Sequence, residues 1–203
     1  MRIYLLRHGE SVDDVEDAYG GIADYPLTDA GRQTAKALAE KLAPEGIKII
    51  YTSPYKRALQ TAQILAAAWG VEFCIKEGLR ERNSYGVLSG VTKAKAKEIF
   101  GHILAQLHGK PGDYYSLELV PGAEPIADVV ARTKTALDEI IASSNGKHDP
   151  IAVVTHGNVT RTIYEHLLHV KGKIGLDLLA ITVLRWVPPC LEIEHTEGVD
   201  IHD

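Results

Sequence analysis

The sequence predicts an α/β protein: a three-layer α/β/α sandwich with a mostly parallel central sheet, formed by one domain over residues 1–203. Three observations lead to this fold class. Short apolar runs alternate with amphipathic helical patterns, which is typical of parallel strands joined by helical crossovers. The run 151–155 is almost wholly apolar, as expected for a central strand covered on both faces. No repeat, low-complexity tract or linker interrupts the alternation.

Three short runs in the first half of the chain are rich in β-branched or aromatic residues, or alternate weakly, and predict strands: 2–6, 47–51 and 72–76. Between the first two, Thr28 is a predicted helix N-cap, and apolar residues follow at helical spacing until Pro44 ends the helix. Residues 10–26 are predicted as a loop, and a loop of that length without structure of its own is usually functional or disordered.

The second strand is followed by a helix whose predicted N-cap is Ser53. Pro54 would then occupy the first helical position, where a missing N–H costs nothing. Gly70 ends this helix. Arg57 lies in its first turn, beside the positive end of the helix.

The second half of the chain repeats the alternation. The predicted elements are a loop at 78–90, a helix at 93–107, a loop at 108–125, a helix at 128–143, a strand at 151–155, a helix at 159–168 and strands at 179–186 and 191–195. Pro188 and Pro189 mark a turn between the last two strands, which predicts an antiparallel edge.

Charge and composition narrow the function classes. The net charge of −5 argues against a nucleic-acid-binding surface, which would show a clustered basic excess. No apolar run approaches membrane-spanning length and no signal peptide precedes the first strand, so we expect a cytoplasmic protein without a membrane partner. Cys74 and Cys190 form no CxxC pair and are expected to be buried and reduced. No pattern indicates an oligomeric state.

Two His-Gly steps stand in the same context, since His8-Gly9 and His156-Gly157 each follow an apolar strand. The carboxyl ends of parallel strands share one edge of a sheet, so the two imidazoles are expected to face each other across a pocket. Arg7 precedes His8 directly. A guanidinium grips two phosphoryl oxygens and an imidazole can attack phosphorus, so this combination suits phosphoryl chemistry.

These motifs make the chain resemble the histidine phosphatase superfamily, the phosphoglycerate mutase-like proteins. The matching stretches follow the family's order and span nearly the whole chain. They are Leu6-Arg7-His8-Gly9-Glu10-Ser11, Pro26-Leu27-Thr28-Asp29-Ala30-Gly31, Thr52-Ser53-Pro54 with Arg57-Ala58 and Thr61-Ala62, Leu79-Arg80-Glu81-Arg82, Pro121-Gly122-Ala123-Glu124 and Val154-Thr155-His156-Gly157.

The resemblance implies catalysis through a phosphohistidine. By position, His8 is the nucleophile, Arg7, Arg57 and His156 bind the phosphoryl oxygens, and Glu81 is the general acid and later the base. His8 must be neutral to attack, which needs its other ring nitrogen to donate to an acceptor; the family uses a backbone carbonyl. Fixed cations take the part that Mg²⁺ plays elsewhere, so no metal and no cofactor are expected.

The expected partner is a small phosphorylated metabolite. By the same resemblance, the positions expected to contact it are Asp14, Gly20, Gly21, Arg82, Asn83, Tyr85, Lys93, Gly157 and Asn158. Lys93 matches a substrate-contacting lysine of the mutases.

The chain departs from the family's mutases at three places. Asp14 stands where many relatives have an asparagine that touches phosphate. The run 81–86 is one residue longer than the mutases' Glu-Arg-His-Tyr-Gly. Residues 102–115 contain no arginine, only Lys110, where cofactor-dependent mutases carry an arginine pair.

The missing arginine pair favours a phosphatase over a phosphoglycerate mutase, because the clamp for the substrate's carboxylate is weakened. A non-catalytic phosphate or phosphoprotein sensor on the same fold is a third possibility. A binder has no need for a nucleophile and an acid, so His8 together with Glu81 argues against it.

Overall fold

Six strands form one mixed sheet in the computed structural model, which describes residues 1–107 and 120–202, without the side chains of residues 100 and 102–107. The strands are β1 (Arg2–Arg7), β2 (Ile50–Thr52), β3 (Phe73–Ile75), β4 (Ile151–Thr155), β5 (Lys173–Val187) and β6 (Cys190–His202). The helices are α1 (Val12–Val15), α2 (Asp29–Leu42), α3 (Lys56–Trp69), α4 (Lys93–Leu107), α5 (Ile126–Ser144) and α6 (Gly157–Thr162).

The strand order is β3-β2-β4-β1-β5-β6. Strands β1 to β4 pair in parallel, whereas β5 runs antiparallel to both β1 and β6. Helices lie on both sides of the sheet, so the predicted three-layer sandwich with its antiparallel edge pair is confirmed. The order places β1 and β4 side by side at the centre, and both deliver a histidine to the same edge.

Strand β1 shows how the two hydrophobic layers are divided. Ile3 and Leu5 pack in one cluster with apolar residues of α5 and α6, whereas Tyr4 and Leu6 pack in the other with residues of α2 and α3. Successive side chains of a strand point to opposite faces, so an unbroken apolar run serves both layers. Burying each such side chain stabilises the fold by about 1.5–3 kcal/mol.

The register between β1 and β4 fixes the site. Arg7 is paired with Thr155, and the N–H of His8 donates to the Thr155 carbonyl at 3.0 Å. The residues that follow the two strands, His8 and His156, are therefore neighbours at the carboxyl edge of the sheet.

Several predicted boundaries shift in the structure. The loop at 10–26 contains the short helix α1, and the helix predicted at 159–168 is α6 followed by a π-helical turn over Ile163–Leu167. Strands β5 and β6 are longer than predicted. The loop predicted at 108–125 lies, up to residue 119, outside the described residues.

The start of α3 corrects the sequence prediction. The helix begins at Lys56, not after Ser53, and its first N–H donates to Asp24 Oδ1 at 2.6 Å. A carboxylate from another segment thus supplies the cap, which leaves the Ser53 hydroxyl for a different contact.

The prediction of buried cysteines is wrong. Cys74 and Cys190 are both free but exposed. Cys74 lies on β3 and Cys190 is the first residue of β6, and these are the two edge strands of the sheet, where both cysteines are exposed. In the part of the chain that the structure describes, no helix has both the length and the apolar character to cross a membrane.

Candidate active site

His8 lies at the centre of the candidate site and is only 4% exposed. Its Nδ1 lies 2.8 Å from the carbonyl oxygen of Gly9. A carbonyl can only accept, so Nδ1 carries the proton and Nε2 keeps its lone pair. Burial, together with the charges of Arg57 and Arg7, holds the pKa of His8 well below its usual value. The ring is therefore neutral, as a nucleophile requires.

Two arginines flank this histidine from different elements. Arg7 Nη1 donates to the Leu176 carbonyl at 2.6 Å, and the buried Arg7 Nε has no hydrogen-bond partner among the described residues. Arg57, only 2% exposed, donates to the carbonyls of Gly21 and Ala23 at 2.9 and 2.8 Å. Burial lowers the pKa of Arg7, but a guanidinium stays charged at neutral pH.

His156 is fully buried beside His8, with the two ring centroids 5.0 Å apart. Its Nε2 lies 2.7 Å from Ser53 Oγ, and its buried Nδ1 has no partner within the described part of the chain. Burial, and then the charges of Arg57 and Arg7, lowers the pKa of His156 well below its usual value. The second imidazole is therefore also neutral.

A cavity of about 270 Å³ is lined by His8 and the two arginines, whereas His156 lies beside His8 without lining it. Most of the predicted site residues line it together: Arg7, His8, Asp14, Gly20, Gly21, Arg57, Glu81, Tyr85, Lys93, Gly157 and Asn158. Basic and acidic side chains from five separate stretches of the sequence are thus brought together at one edge of the sheet.

Glu81 is held in the wall of this cavity by two backbone groups. Its Oε1 accepts from the Arg82 N–H at 2.8 Å, and its Oε2 accepts from the Asn158 N–H at 3.3 Å. The side chain is 8% exposed. The carboxyl group is therefore fixed within the same cavity as His8, as a proton donor for the leaving oxygen would have to be.

The segment that carries Glu81 is anchored by an ionic network behind it. Arg132 donates to Glu124 through two nitrogens at 2.8 and 3.0 Å, and also to the carbonyls of Gly78 and Arg80. Burial is the largest single influence and raises the pKa of Glu124. The hydrogen bond and charge of Arg132, with smaller contributions from the Asn83 N–H and Arg80, together outweigh burial and lower that pKa overall. An ionised Glu124 thus ties the segment before Glu81 to α5.

Two of the predicted substrate contacts are turned away. Arg82 Nε donates to the Glu124 carbonyl at 3.0 Å, and Asn83 Nδ2 donates to the Gly122 carbonyl at 2.8 Å. Neither residue lines the cavity. These contacts do not support substrate binding by Arg82 or Asn83; they secure the loop from which Glu81 projects.

The glycine pair in the first loop shapes the cavity through close packing. A Cβ on Gly20 would lie 2.1 Å from Asp13 Oδ2, and Gly21 has a φ of +48°. A side chain at position 20 would require the Asp13 carboxylate to move, and the backbone conformation at position 21 is one that glycine adopts readily. The carbonyl of Gly21 then accepts from Arg57.

Asp14 lines the cavity but is engaged elsewhere. Its Oδ2 accepts from the N–H of Ser11 at 2.8 Å and from Ser11 Oγ at 2.9 Å. Lys93 also lines the cavity and forms an ion pair with Asp17. The carboxylate of Asp14 therefore caps α1 at the rim of the pocket.

Arg161 lines the same cavity, and the sequence motifs do not predict it. Its Nε donates to the Ile174 carbonyl at 2.9 Å, and its Nη1 lies 3.4 Å from Asn158 Oδ1. Residues four apart share one face of a helix, so its spacing from Gly157 was the signal that could have found it. Asp13, Asp17 and Tyr19 also line the cavity and were not predicted.

The cavity chemistry suits a phosphoryl group. Among the side chains that the structure describes, no group of three or more His, Cys, Asp or Glu is placed to hold a metal ion. Arg7 and Arg57 bring guanidinium groups to the cavity, and such groups bind phosphoryl oxygens well. Arg7 Nε and His156 Nδ1 are buried and have no hydrogen-bond partner among the described residues.

Comparison with known proteins agrees with this geometry. The chain is 36% identical to phosphoglycerate mutase-like protein 4 of Arabidopsis thaliana over 165 residues, 80% of this chain and 69% of that protein. It is 26% identical to the 2,3-bisphosphoglycerate-dependent phosphoglycerate mutase of Corynebacterium diphtheriae, over 98% of this chain and 88% of that one. The structure of a mycobacterial glucosyl-3-phosphoglycerate phosphatase with VO3 superposes with a TM-score of 0.76 at 25% identity, covering 96% of this chain and 97% of that chain.

The model of the histidine phosphatase superfamily (branch 1) matches residues 3–196, almost the whole sequence. This chain belongs to the histidine phosphatase superfamily.

Proposed function

We propose that the protein is a metal-independent phosphatase that hydrolyses a small phosphorylated metabolite through a phosphohistidine on His8. One observation carries the proposal: the neutral imidazole of His8, its Nδ1 held 2.8 Å from the Gly9 carbonyl, shares a cavity with two arginines and a fixed carboxyl group. The family and its phosphatase members support phosphoryl transfer as the chemistry.

In the first step, the Nε2 lone pair of His8 attacks phosphorus as the bond to the leaving oxygen breaks. Arg7 and Arg57 offset the charge on the phosphoryl oxygens, and His156 donates to one of them. Glu81 gives its proton to the leaving oxygen, so the alcohol departs neutral.

In the second step, water attacks the phosphohistidine and Glu81 takes a proton from it. The bond between Nε2 and phosphorus breaks, inorganic phosphate forms, and the imidazole is neutral again. Glu81 recovers the proton it gave away, so the cycle closes without an added acid, base or metal.

Phosphoglycerate mutase is the second candidate, since several relatives carry that name and Lys93 lines the cavity. A mutase must hold a bisphosphorylated intermediate while it reorients, which requires cations for the carboxylate and second phosphate. The absence of arginine from residues 102–115 weakens that clamp, so we favour hydrolysis. A cytoplasmic location and a small-molecule partner, rather than nucleic acid or membrane, belong to the same proposal.

A phosphate-release screen tests the proposal. The purified protein is given a panel of phosphorylated metabolites, and interconversion of 2- and 3-phosphoglycerate is followed in parallel. We expect phosphate release from at least one monoester to exceed isomerisation, with activity unaffected by EDTA. Efficient isomerisation with little free phosphate would contradict the phosphatase assignment, and loss of activity on chelation would contradict the metal-free mechanism.

A further inference from the structure

Ser53 connects the turn after β2 to the second histidine of the site. Its side chain is fully buried. Ser53 Oγ lies 2.7 Å from His156 Nε2 and accepts a hydrogen bond from the backbone N–H of Tyr55 at 3.2 Å. The sequence suggests a helix cap at this residue, but the structure gives its hydroxyl to His156 instead.

The proton on this hydroxyl decides where the proton of His156 sits. A serine hydroxyl has one proton and two acceptor lone pairs, and the Tyr55 N–H uses one of the lone pairs. If His156 Nε2 carried its ring proton, it would donate to Ser53 Oγ. The hydroxyl proton would then lack an acceptor among the described residues. Within the described part of the chain, that arrangement leaves two buried groups unpaired, the hydroxyl proton and the Nδ1 lone pair, whereas the reverse arrangement leaves only the Nδ1 proton unpaired. Each unpaired buried group costs its desolvation, so the reverse arrangement is favoured.

We propose that Ser53 is a positioning residue: its hydroxyl donates to His156 Nε2 and so fixes the ring proton on Nδ1, which donates to a phosphoryl oxygen of the substrate. The inference rests on the proposed function for that last contact. The buried Nδ1 has no partner among the described residues, as expected of a donor kept for the substrate. If the ring proton of His156 were on Nε2 instead, Nδ1 would present a lone pair to a phosphate dianion and repel it.

Neighbouring contacts hold the arrangement in place. The ring of Tyr55 meets the His156 ring edge-on at 5.6 Å, and the guanidinium carbon of Arg57 lies 5.5 Å from the Tyr55 ring centroid. The stretch from Ser53 to Arg57 thus contacts His156 twice and carries one of the two cations. Burial and the nearby charges keep the pKa of His156 well below its usual value, so a neutral ring has one proton to place.

Imidazole nitrogen NMR of the whole protein tests the tautomer without any need for turnover. In the unmodified protein we expect the His156 proton on Nδ1. Ser53→Ala should release this preference, and Ser53→Thr, which keeps the hydroxyl, should restore it. Ser144→Ala is the matched control. Ser144, the last residue of α5, is equally buried, and its Oγ lies 2.9 Å from Tyr51 OH.

Orthovanadate binding measures the consequence for the site. Loss of a donor to a charged group should weaken orthovanadate binding by about tenfold or more in Ser53→Ala, with little change in Ser144→Ala. A proton on Nε2 of His156 in the unmodified protein would overturn the inference, even if Ser53→Ala failed to fold. An unchanged tautomer in Ser53→Ala would do the same. Failure of the proposed function would be seen separately, as a lack of phosphate release by the unmodified enzyme.

Discussion

The imidazoles of His8 and His156 lie 5.0 Å apart, centroid to centroid, with their planes inclined by 59°. Two protonated rings at this distance, next to Arg7 and Arg57, would repel each other strongly. Burial and these charges instead hold the pKa of both histidines well below the usual value. The pair therefore stays neutral in the folded protein, and this neutrality has a consequence for stability.

The first prediction is a loss of stability in mild acid. Both histidines have a folded pKa below the unfolded value of 6.5, so the unfolded chain binds more protons as the pH falls through that value. Their contribution is fully present above the unfolded pKa and is lost as the pH falls towards the folded pKa. Each histidine adds a slope of up to about 1.4 kcal/mol per pH unit to the free energy of unfolding.

Urea unfolding between about pH 5 and pH 8 measures this slope. His8→Gln and His156→Gln should each remove part of it, because neither replacement titrates. His195→Gln is the control, since His195 is exposed on β6. A free energy of unfolding that stays constant from neutral to mildly acidic pH would contradict the prediction.

The second prediction concerns Glu81 as proton donor. An aryl phosphate has a leaving oxygen that departs without a proton, whereas an alkyl phosphate needs one. General acid catalysis contributes about a hundred- to ten-thousandfold, so Glu81→Gln should slow alkyl phosphate hydrolysis by that order and aryl phosphate hydrolysis far less.

The control for Glu81 is Glu124→Gln, which loosens the same segment without touching the cavity. Glu124 binds Arg132 and Arg80 behind Glu81. Its replacement should affect both substrates alike. The same uniform loss in Glu81→Gln would assign Glu81 to positioning rather than to proton transfer.

The third prediction concerns the carboxylate of Asp14 at the rim of the cavity. Asp14→Asn keeps an amide oxygen for the hydrogen bonds from Ser11 and removes a negative charge that repels phosphate. The residue is exposed, so solvent screens much of the effect, and phosphate should bind roughly two- to tenfold more tightly. Inhibition constants for phosphate at neutral pH measure the change.

Glu16→Gln is the matched control for Asp14, because Glu16 ends the same short helix, is exposed and does not line the cavity. It should leave the inhibition constant unchanged. Equal constants for Asp14→Asn and the unmodified protein would show that this carboxylate does not act on the bound anion.

The central part of the fold was predictable because short-range patterns determine it. The apolar runs at 151–155 and 2–6 predict two buried parallel strands, and this alone places His8 and His156 at one edge of the sheet. Arg7, His8 and Gly157, predicted from motifs at the ends of these strands, line the cavity for the same reason, while His156 is buried beside His8.

The rest depended on contacts between distant parts of the chain. Serine is a common N-cap residue, but at the start of α3 the Asp24 carboxylate accepts from the first N–H of the helix. The Ser53 hydroxyl is hydrogen-bonded to His156 instead. Arg82 lies next to Glu81 in sequence, yet its guanidinium donates to the Glu124 carbonyl and does not line the cavity. A single sequence contains no sign of such competition between local and tertiary hydrogen bonds.

The lengths of the strands and the exposure of residues at the sheet edge could not be predicted from the sequence either. Strand β5 passes through an irregularity between Leu176 and Ile181, where Leu179 has a φ of 57°. This irregularity interrupts the alternation of inward and outward side chains along β5, so the sequence pattern does not reveal the full length of the strand. Cys74 was expected inside because cysteine is commonly buried, but β3 is an edge strand with all three residues exposed.

The most direct test of the account is to trap the covalent intermediate on His8. The enzyme is mixed with a radiolabelled monoester found in the phosphate-release screen, quenched, and its bound label tested for acid and alkali stability. Phosphohistidine is labile in acid and stable in alkali, which distinguishes it from phosphoserine. We predict an acid-labile, alkali-stable label that is absent from His8→Ala, together with loss of turnover in that variant. Retained label and turnover in His8→Ala would contradict the mechanism.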